Sequence, residues 1–130
     1  MTRILIVDDS ATIRKMVRTS LQRMEGAEFL EAATGLEAIE QLAIAAVHLV
    51  ILDLNMPDMH GIDVLRFVRR HQHYQRLPVI VLTTRGDDSS RQTAVEAGAT
   101  TYMTKPFAPH ALAATARTLL NGIEARAIQG

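Results

Sequence analysis

Several residues able to do chemistry follow directly on short apolar runs in this 130-residue chain. Asp8 and Asp9 come after Ile4-Leu5-Ile6-Val7, and Asp53 comes after Leu49-Val50-Ile51-Leu52. Thr83 and Thr84 follow Val79-Ile80-Val81-Leu82, while Thr104 and Lys105 follow Thr100-Thr101-Tyr102-Met103. If the runs are parallel strands, these residues share one carboxyl edge, where open α/β sheets build their sites. Clustered carboxylates repel one another unless a cation sits among them. An all-oxygen set without His or Cys favours a hard ion, Mg²⁺ or Mn²⁺, with octahedral geometry and retained waters. Such an ion, together with Lys105 and a threonine hydroxyl, is a receptor for a group bearing several anionic oxygens. Phosphoryl fits best, because its transfer demands mostly positioning and charge neutralisation. Asp53 can then be the nucleophile, forming an acyl phosphate. Asn55 stands two residues further on.

The elements that must position these groups are legible as an alternation. The runs at 4–7, 49–52 and 79–82 are apolar throughout rather than alternating, which suits strands covered by helices on both faces. Glu28-Phe29-Leu30-Glu31-Ala32 is a weaker strand, and Thr100-Thr101-Tyr102-Met103 is polar enough to be an edge strand. Between the strands, Ile13, Met16, Val17, Leu21 and Met24 recur at helical steps, with Ser10 or Asp9 as N-cap and Gly26 as the stop. Leu36, Ile39, Leu42, Ala43 and Ala46 form a second stripe, and Ile62, Leu65 and Val68 a third. Residues 88–97 give a weakly apolar fourth helix that ends at Gly98. Leu112, Ala116, Leu119, Leu120 and Ile123 give the fifth, with Pro109 allowed in its first turn. Five βα units with short connections predict an open parallel sheet with helices on both faces.

Composition removes competing classes. Lys plus Arg and Asp plus Glu both total 14, so the formal charge is zero, which argues against a dedicated nucleic-acid binder. With no cysteine there is neither thiol chemistry nor a thiolate site. No apolar run is long enough to span a bilayer, and MTRILIVDDS places two acids where a signal peptide needs an apolar core. The expectation is a soluble cytoplasmic domain.

Asp8-Asp9, Asp53-Leu54-Asn55-Met56-Pro57, Thr83 and Lys105-Pro106-Phe107 together resemble the signature of response-regulator receiver domains. The stretches ILIVDDSATIRKMV and LTTRGDDSSRQTAVEAGATTYMTKPF are most similar to stand-alone chemotaxis regulators of the CheY type. The resemblance implies a flavodoxin-like (βα)5 doubly wound parallel sheet with strand order 2-1-3-4-5. It implies a receiver over residues 1–121, with 122–130 as the end of the last helix or a tail. Asp53 would be the phosphoacceptor for a histidine kinase. Asp9 and Asp53 would bind Mg²⁺ directly, Asp8 largely through water, and Asn55 by its backbone carbonyl. Thr83 and Lys105 would hold phosphoryl oxygens. Tyr102 would be an aromatic switch that turns inward when Thr83 is drawn to the phosphoryl. The Lys105-Pro106 peptide would be cis. Output would pass to a flagellar motor switch or another protein through the fourth helix, fifth strand and fifth helix, the chain acting as a monomer. Arg85 departs from the acid that many chemotaxis regulators carry there, which bears on phosphoryl lifetime and phosphatase choice.

Each residue alone has an ordinary explanation. Asp8-Asp9 could cap a helix, Lys105 could be a solvated lysine, Thr83 a β-branched strand end, and Tyr102 an edge residue half-buried for packing. Residues 55–58 are also ordinary turn chemistry. Arg66, Arg69, Arg70 and Arg76 read as a solvated face or as cations favoured at a helix end, with a docking patch for an acidic partner as the minority reading. His71 and His73, two apart, do not share a helix face, and the five histidines read as surface or helix-end residues. The conjunction at one edge carries the functional reading. A phosphatase of the haloacid-dehalogenase type would want its nucleophile on the first strand and a second Asp where Asn55 stands. A nucleotide-binding domain would want a glycine-rich loop where DDSAT stands. A scaffold-only receiver would not need every acid, Thr83 and Lys105. A phosphate sink or a regulator outside chemotaxis stays open.

Overall fold

The computed structural model describes residues 2–56, 58–84 and 86–129, the side chains of 123–129 excepted. Its elements are β1 (Thr2–Val7), α1 (Ala11–Leu21), β2 (Ala27–Ala32), α2 (Gly35–Ile44), β3 (Leu49–Leu52) and α3 (Gly61–Arg70). After a 3-10 turn (Gln72–Tyr74) follow β4 (Val79–Thr83), α4 (Asp88–Ala97), β5 (Thr101–Thr104) and α5 (Pro109–Gln129). All strand pairs are parallel, and the order is β2-β1-β3-β4-β5. This is the doubly wound flavodoxin-like sheet that the sequence implies.

The two-residue period of a strand splits the apolar runs between two layers. Leu5, Val7, Val50, Leu52, Val79 and Val81 pack with Ala38, Leu42, Val64, Leu65, Val68 and Ala94 from α2, α3 and α4. Ile4, Ile6, Leu49, Ile51, Ile80 and Leu82 pack with Val17, Leu21, Leu112 and Ala116 from α1 and α5. Unbroken hydrophobicity in the three central strands therefore reflects burial from both sides, and the edge strands β2 and β5 are only partly buried.

The helical stripes need correction. In α1, Met16 is 45% exposed, and the buried positions are Val17 and Leu21. In α2, Leu36 is 56% exposed, while Gly35, Ala38 and Leu42 face the core. Ala46 lies beyond the end of α2. Small residues were the inward ones, because this helix sits close against its neighbours. Local capping follows the expected chemistry. The Ser10 hydroxyl accepts from Ile13 N–H at 3.2 Å, and α1 ends at Leu21, ahead of Gly26. Gly98, at φ +114°, closes α4 in the left-handed region.

At the amino edge of the sheet Arg69 is not solvated, contrary to the expectation for the arginine stretch. It is half-buried, and its Nε donates to Gly98 O at 2.8 Å. Its Nη1 donates to Tyr74 O at 2.9 Å and Leu77 O at 2.7 Å, and its Nη2 to Thr100 Oγ1 at 3.3 Å. The guanidinium thus ties α3 to the loops before β4 and β5. Nearby, the Tyr74 hydroxyl donates to Leu42 O at 2.7 Å. His71 and His73 do not belong to one continuous helix, since the 3-10 turn intervenes, and their rings approach to 5.4 Å.

Candidate functional site

The backbone ladder runs past the strand ends and sets the acids in register. Asp8 N–H donates to Ala32 O at 3.1 Å, Asp53 N–H to Val7 O at 2.9 Å, and Lys105 N–H to Thr83 O at 2.8 Å. Asp8, Asp53, Thr83 and Lys105 therefore end four adjacent strands, β1, β3, β4 and β5. Asp8, Asp53 and Thr83 are buried, while Asp9 is exposed. Thr84 and Thr104 are exposed, so of the candidate hydroxyls Thr83 alone is buried at this edge.

One carboxylate oxygen from each of Asp8, Asp9 and Asp53 lies within 4.8 Å of the others. Lys105 Nζ stands 2.7 Å from Asp8 Oδ2 and 3.6 Å from Asp53 Oδ1. Asp8 Oδ1 accepts from Ser10 N–H at 2.9 Å, so both of its oxygens already have protein donors. Burial pushes the Asp53 carboxyl above its ordinary value, and the neighbouring Asp8 charge pushes it the same way. Lys105 and the Asn55 N–H pull it down, and Asp9 adds to the rise. One ammonium thus faces three carboxylates. The oxygen-only donor set and its unbalanced negative charge fit a hard divalent cation.

Sequence reading missed several residues that hold this arrangement. Arg14, off the apolar stripe of α1, donates from Nη1 to the Asp8 carbonyl at 2.6 Å and from Nε to Glu31 Oε1 at 2.9 Å. Arg18 also pairs with Glu31. Gly61 N–H donates to Leu54 O at 3.0 Å, and a Cβ on Gly61 would collide with the Asp53 carbonyl. Asp58, read as turn chemistry, accepts from the first N–H groups of α2. Charge and turn residues were visible in the sequence, but their partners are distant in it. Asn55 is exposed and lines a cleft of about 450 Å³ with Leu54, His60, Arg66 and Ser90.

Tyr102 is half-buried against the α2–α4 side of the core, with its hydroxyl oxygen shielded from solvent. Arg91 of α4 stands 5.6 Å from its ring centroid, within cation–π range. The Lys105-Pro106 peptide is cis. Arg85 and Pro57 lie outside the described residues.

Residues 4–117 match the response regulator receiver domain model. The chain belongs to the response-regulator receiver family. This receiver is 40% identical over 111 residues to chemotaxis protein CheY1 of Helicobacter pylori, covering 85% of its own length and 90% of that protein. It is also 40% identical over 119 residues to transcriptional regulatory protein ResD of Bacillus subtilis, covering 92% of itself and 48% of that protein. Among solved structures it superimposes on chemotaxis response regulator CheY4 of Vibrio cholerae with a TM-score of 0.84 and 37% identity, covering 92% and 98% of the two chains. It is therefore a receiver domain of a two-component system with a CheY-type fold. Among the described residues no helix of the receiver is long and apolar enough to cross a membrane.

Proposed function

We propose that Asp53 accepts a phosphoryl group from a histidine kinase and that the chain signals by binding another protein. One observation carries the reading: Asp53 is buried at the end of a central strand, among Asp8, Asp9 and the Lys105 ammonium. An Asp53 oxygen forms a bond to phosphorus as the phosphorus–nitrogen bond of phosphohistidine breaks, and the electron pair leaves with the imidazole. Asp8, Asp9, Asp53 and the Asn55 carbonyl would hold Mg²⁺, with Mn²⁺ as a substitute. When bound, the ion supplies charge neutralisation for the phosphoryl oxygens. Lys105 and Thr83 bind those oxygens from the β5 and β4 side. The chain assists its own phosphorylation and dephosphorylation and turns over no other substrate.

Tyr102, α4, β5 and α5 form the output face in this reading, and chemotaxis with a flagellar motor switch is the process. Similarity over 85% of this chain and 90% of a protein named for chemotaxis supports that choice. The receiver unit spans residues 1–121, with 122–130 as the end of the last helix or a tail, and the protein acts as a cytoplasmic monomer. Incubation with acetyl phosphate and Mg²⁺ tests the core of the proposal. A single acid-stable, base-labile phosphoryl should appear on Asp53, and labelling elsewhere overturns the assignment. Affinity capture with and without beryllofluoride then tests the output, with a motor-switch protein expected only in the activated sample.

A further inference from the structure

In the loop between β3 and α3, Asn55 follows Asp53 closely on one side, and Asp58 and Met59 lie on the side that leads into α3. That second side is fixed to a different helix. Asp58 Oδ1 accepts from Gly35 N–H at 3.0 Å and Asp58 Oδ2 from Leu36 N–H at 3.2 Å. These are the first two donors of α2. The next is served from within, because the Thr34 hydroxyl accepts from Glu37 N–H at 3.1 Å. Glu37 in turn accepts at 2.8 Å from the N–H of Ala33, the residue just ahead of the Thr34 N-cap, so this helix start is also tied down locally. Leu36 is 56% exposed, so water could serve this helix end without Asp58. A carboxylate brought from more than twenty residues away therefore orders the loop more than it completes the helix.

Packing agrees. A Cβ at Gly35 would lie 2.8 Å from Met59 Cβ and 3.0 Å from Val64, so only glycine lets the loop sit this close to α2. At the other end of the loop, the Asn55 N–H hydrogen-bonds the Asp53 carboxylate. The Gly35 N–H, joined by that of Leu36, holds the Asp58 carboxyl below its ordinary value although burial opposes them. Asp58 thus stays an acceptor-only carboxylate at neutral pH.

We infer that Asp58 is a positioning residue for the cation site: by anchoring the loop to α2 it fixes Asn55 beside Asp53 and so sets divalent-ion affinity. The inference rests on the reading of the acid cluster as a Mg²⁺ site. Outer-shell groups that orient ligands typically change metal affinity by roughly 10–100-fold. Asp58 acts through one hinge-like loop, which places its effect at the low end, about tenfold.

The test titrates Mg²⁺ alone into the full ¹⁵N-labelled chain and follows amide shifts at Asp9, Asp53 and Asn55. Asp58→Ala should weaken Mg²⁺ binding about tenfold, and Asp58→Asn, which keeps one acceptor oxygen, should recover part of the loss. Thr34→Ala is the control, since it weakens the α2 cap from inside the helix without touching the loop. Unchanged affinity in Asp58→Ala, with wild-type binding intact, overturns the inference alone. Equal loss in Thr34→Ala also overturns it, because helix stability would then be the cause. Absence of any Mg²⁺ response in the wild type removes the metal reading together with it.

Discussion

The two edges of the sheet both draw charged groups out of water, and they treat them in opposite ways. At the amino edge the Arg69 guanidinium is met by protein oxygens from Tyr74, Leu77, Gly98 and Thr100. At the carboxyl edge three carboxylates cluster, the Lys105 ammonium stands against two of them, and burial raises the Asp53 carboxyl above its ordinary value. A cation satisfied by the protein's own carbonyls is a brace. Carboxylates gathered in excess of cations fit a hard divalent ion. Breaking the first edge should cost stability with little chemistry, and neutralising the second should cost chemistry while sparing stability.

The largest expected effect is chemical. Asp53→Asn should abolish acetyl-phosphate labelling, a loss of more than about 100-fold by intact-mass measurement, because the amide cannot form the acyl phosphate. Its apo form should at the same time melt no lower than wild type. Next comes the brace. Arg69→Met keeps the aliphatic stem but strips the donors from several carbonyls, and should destabilise the fold by about 2–4 kcal/mol in urea titration. Labelling at a temperature where the variant is folded should persist.

Gly98→Ala probes the same edge more gently. The left-handed φ and the Arg69 stem against the new methyl should cost about 1–2 kcal/mol. On the carboxyl edge, Mg²⁺ at ten times its dissociation constant should stabilise the wild type by about 1.4 kcal/mol, and Asp9→Asn should shrink that gain. Calorimetry with and without chelator measures both.

The smallest effect is a pH dependence. The folded Asp53 carboxyl lies above its ordinary value of 3.8. Its favourable contribution is therefore full below that ordinary value and is lost as pH rises through the folded one. Without divalent ions, Asp53→Asn should gain stability relative to wild type across that rise. Parallel urea titrations from about pH 3 to 8 would show it, and a difference that is flat with pH would remove the strain from this edge.

The carboxyl edge was more legible in the sequence than the amino edge. Asp8, Asp9, Asp53 and Thr83 follow or end apolar runs and Lys105 follows a more polar one, so the strand pattern placed them at one edge, and the ladder kept Asp8, Asp53 and Lys105 in register. Arg69 looked like one of four clustered arginines, and nothing local marks it as the one that turns inward. Its partners are carbonyls, which every residue carries. Asp58 was hidden in the same way, since its partners are the amides of Gly35 and Leu36. The α2 face was misread because Gly35 and Ala38 carry little hydrophobicity, and close approach rather than oiliness puts them inside. Tyr102 was correctly placed on an edge strand, but its inward pose depends on α4, where Arg91 covers the ring.

The chain has no tryptophan and two tyrosines, and the fold gives one to each regime. Tyr74 is bonded to the Leu42 carbonyl beside the Arg69 brace, while Tyr102 lies under Arg91 on the strand that leads to Lys105. Near-ultraviolet emission of the unmodified protein is thus a two-channel optical record. Tyr74→Phe silences the channel on the brace side and leaves the light to Tyr102. If the proposed phosphorylation of Asp53 moves the Tyr102 ring, that emission follows it in real time without an attached dye.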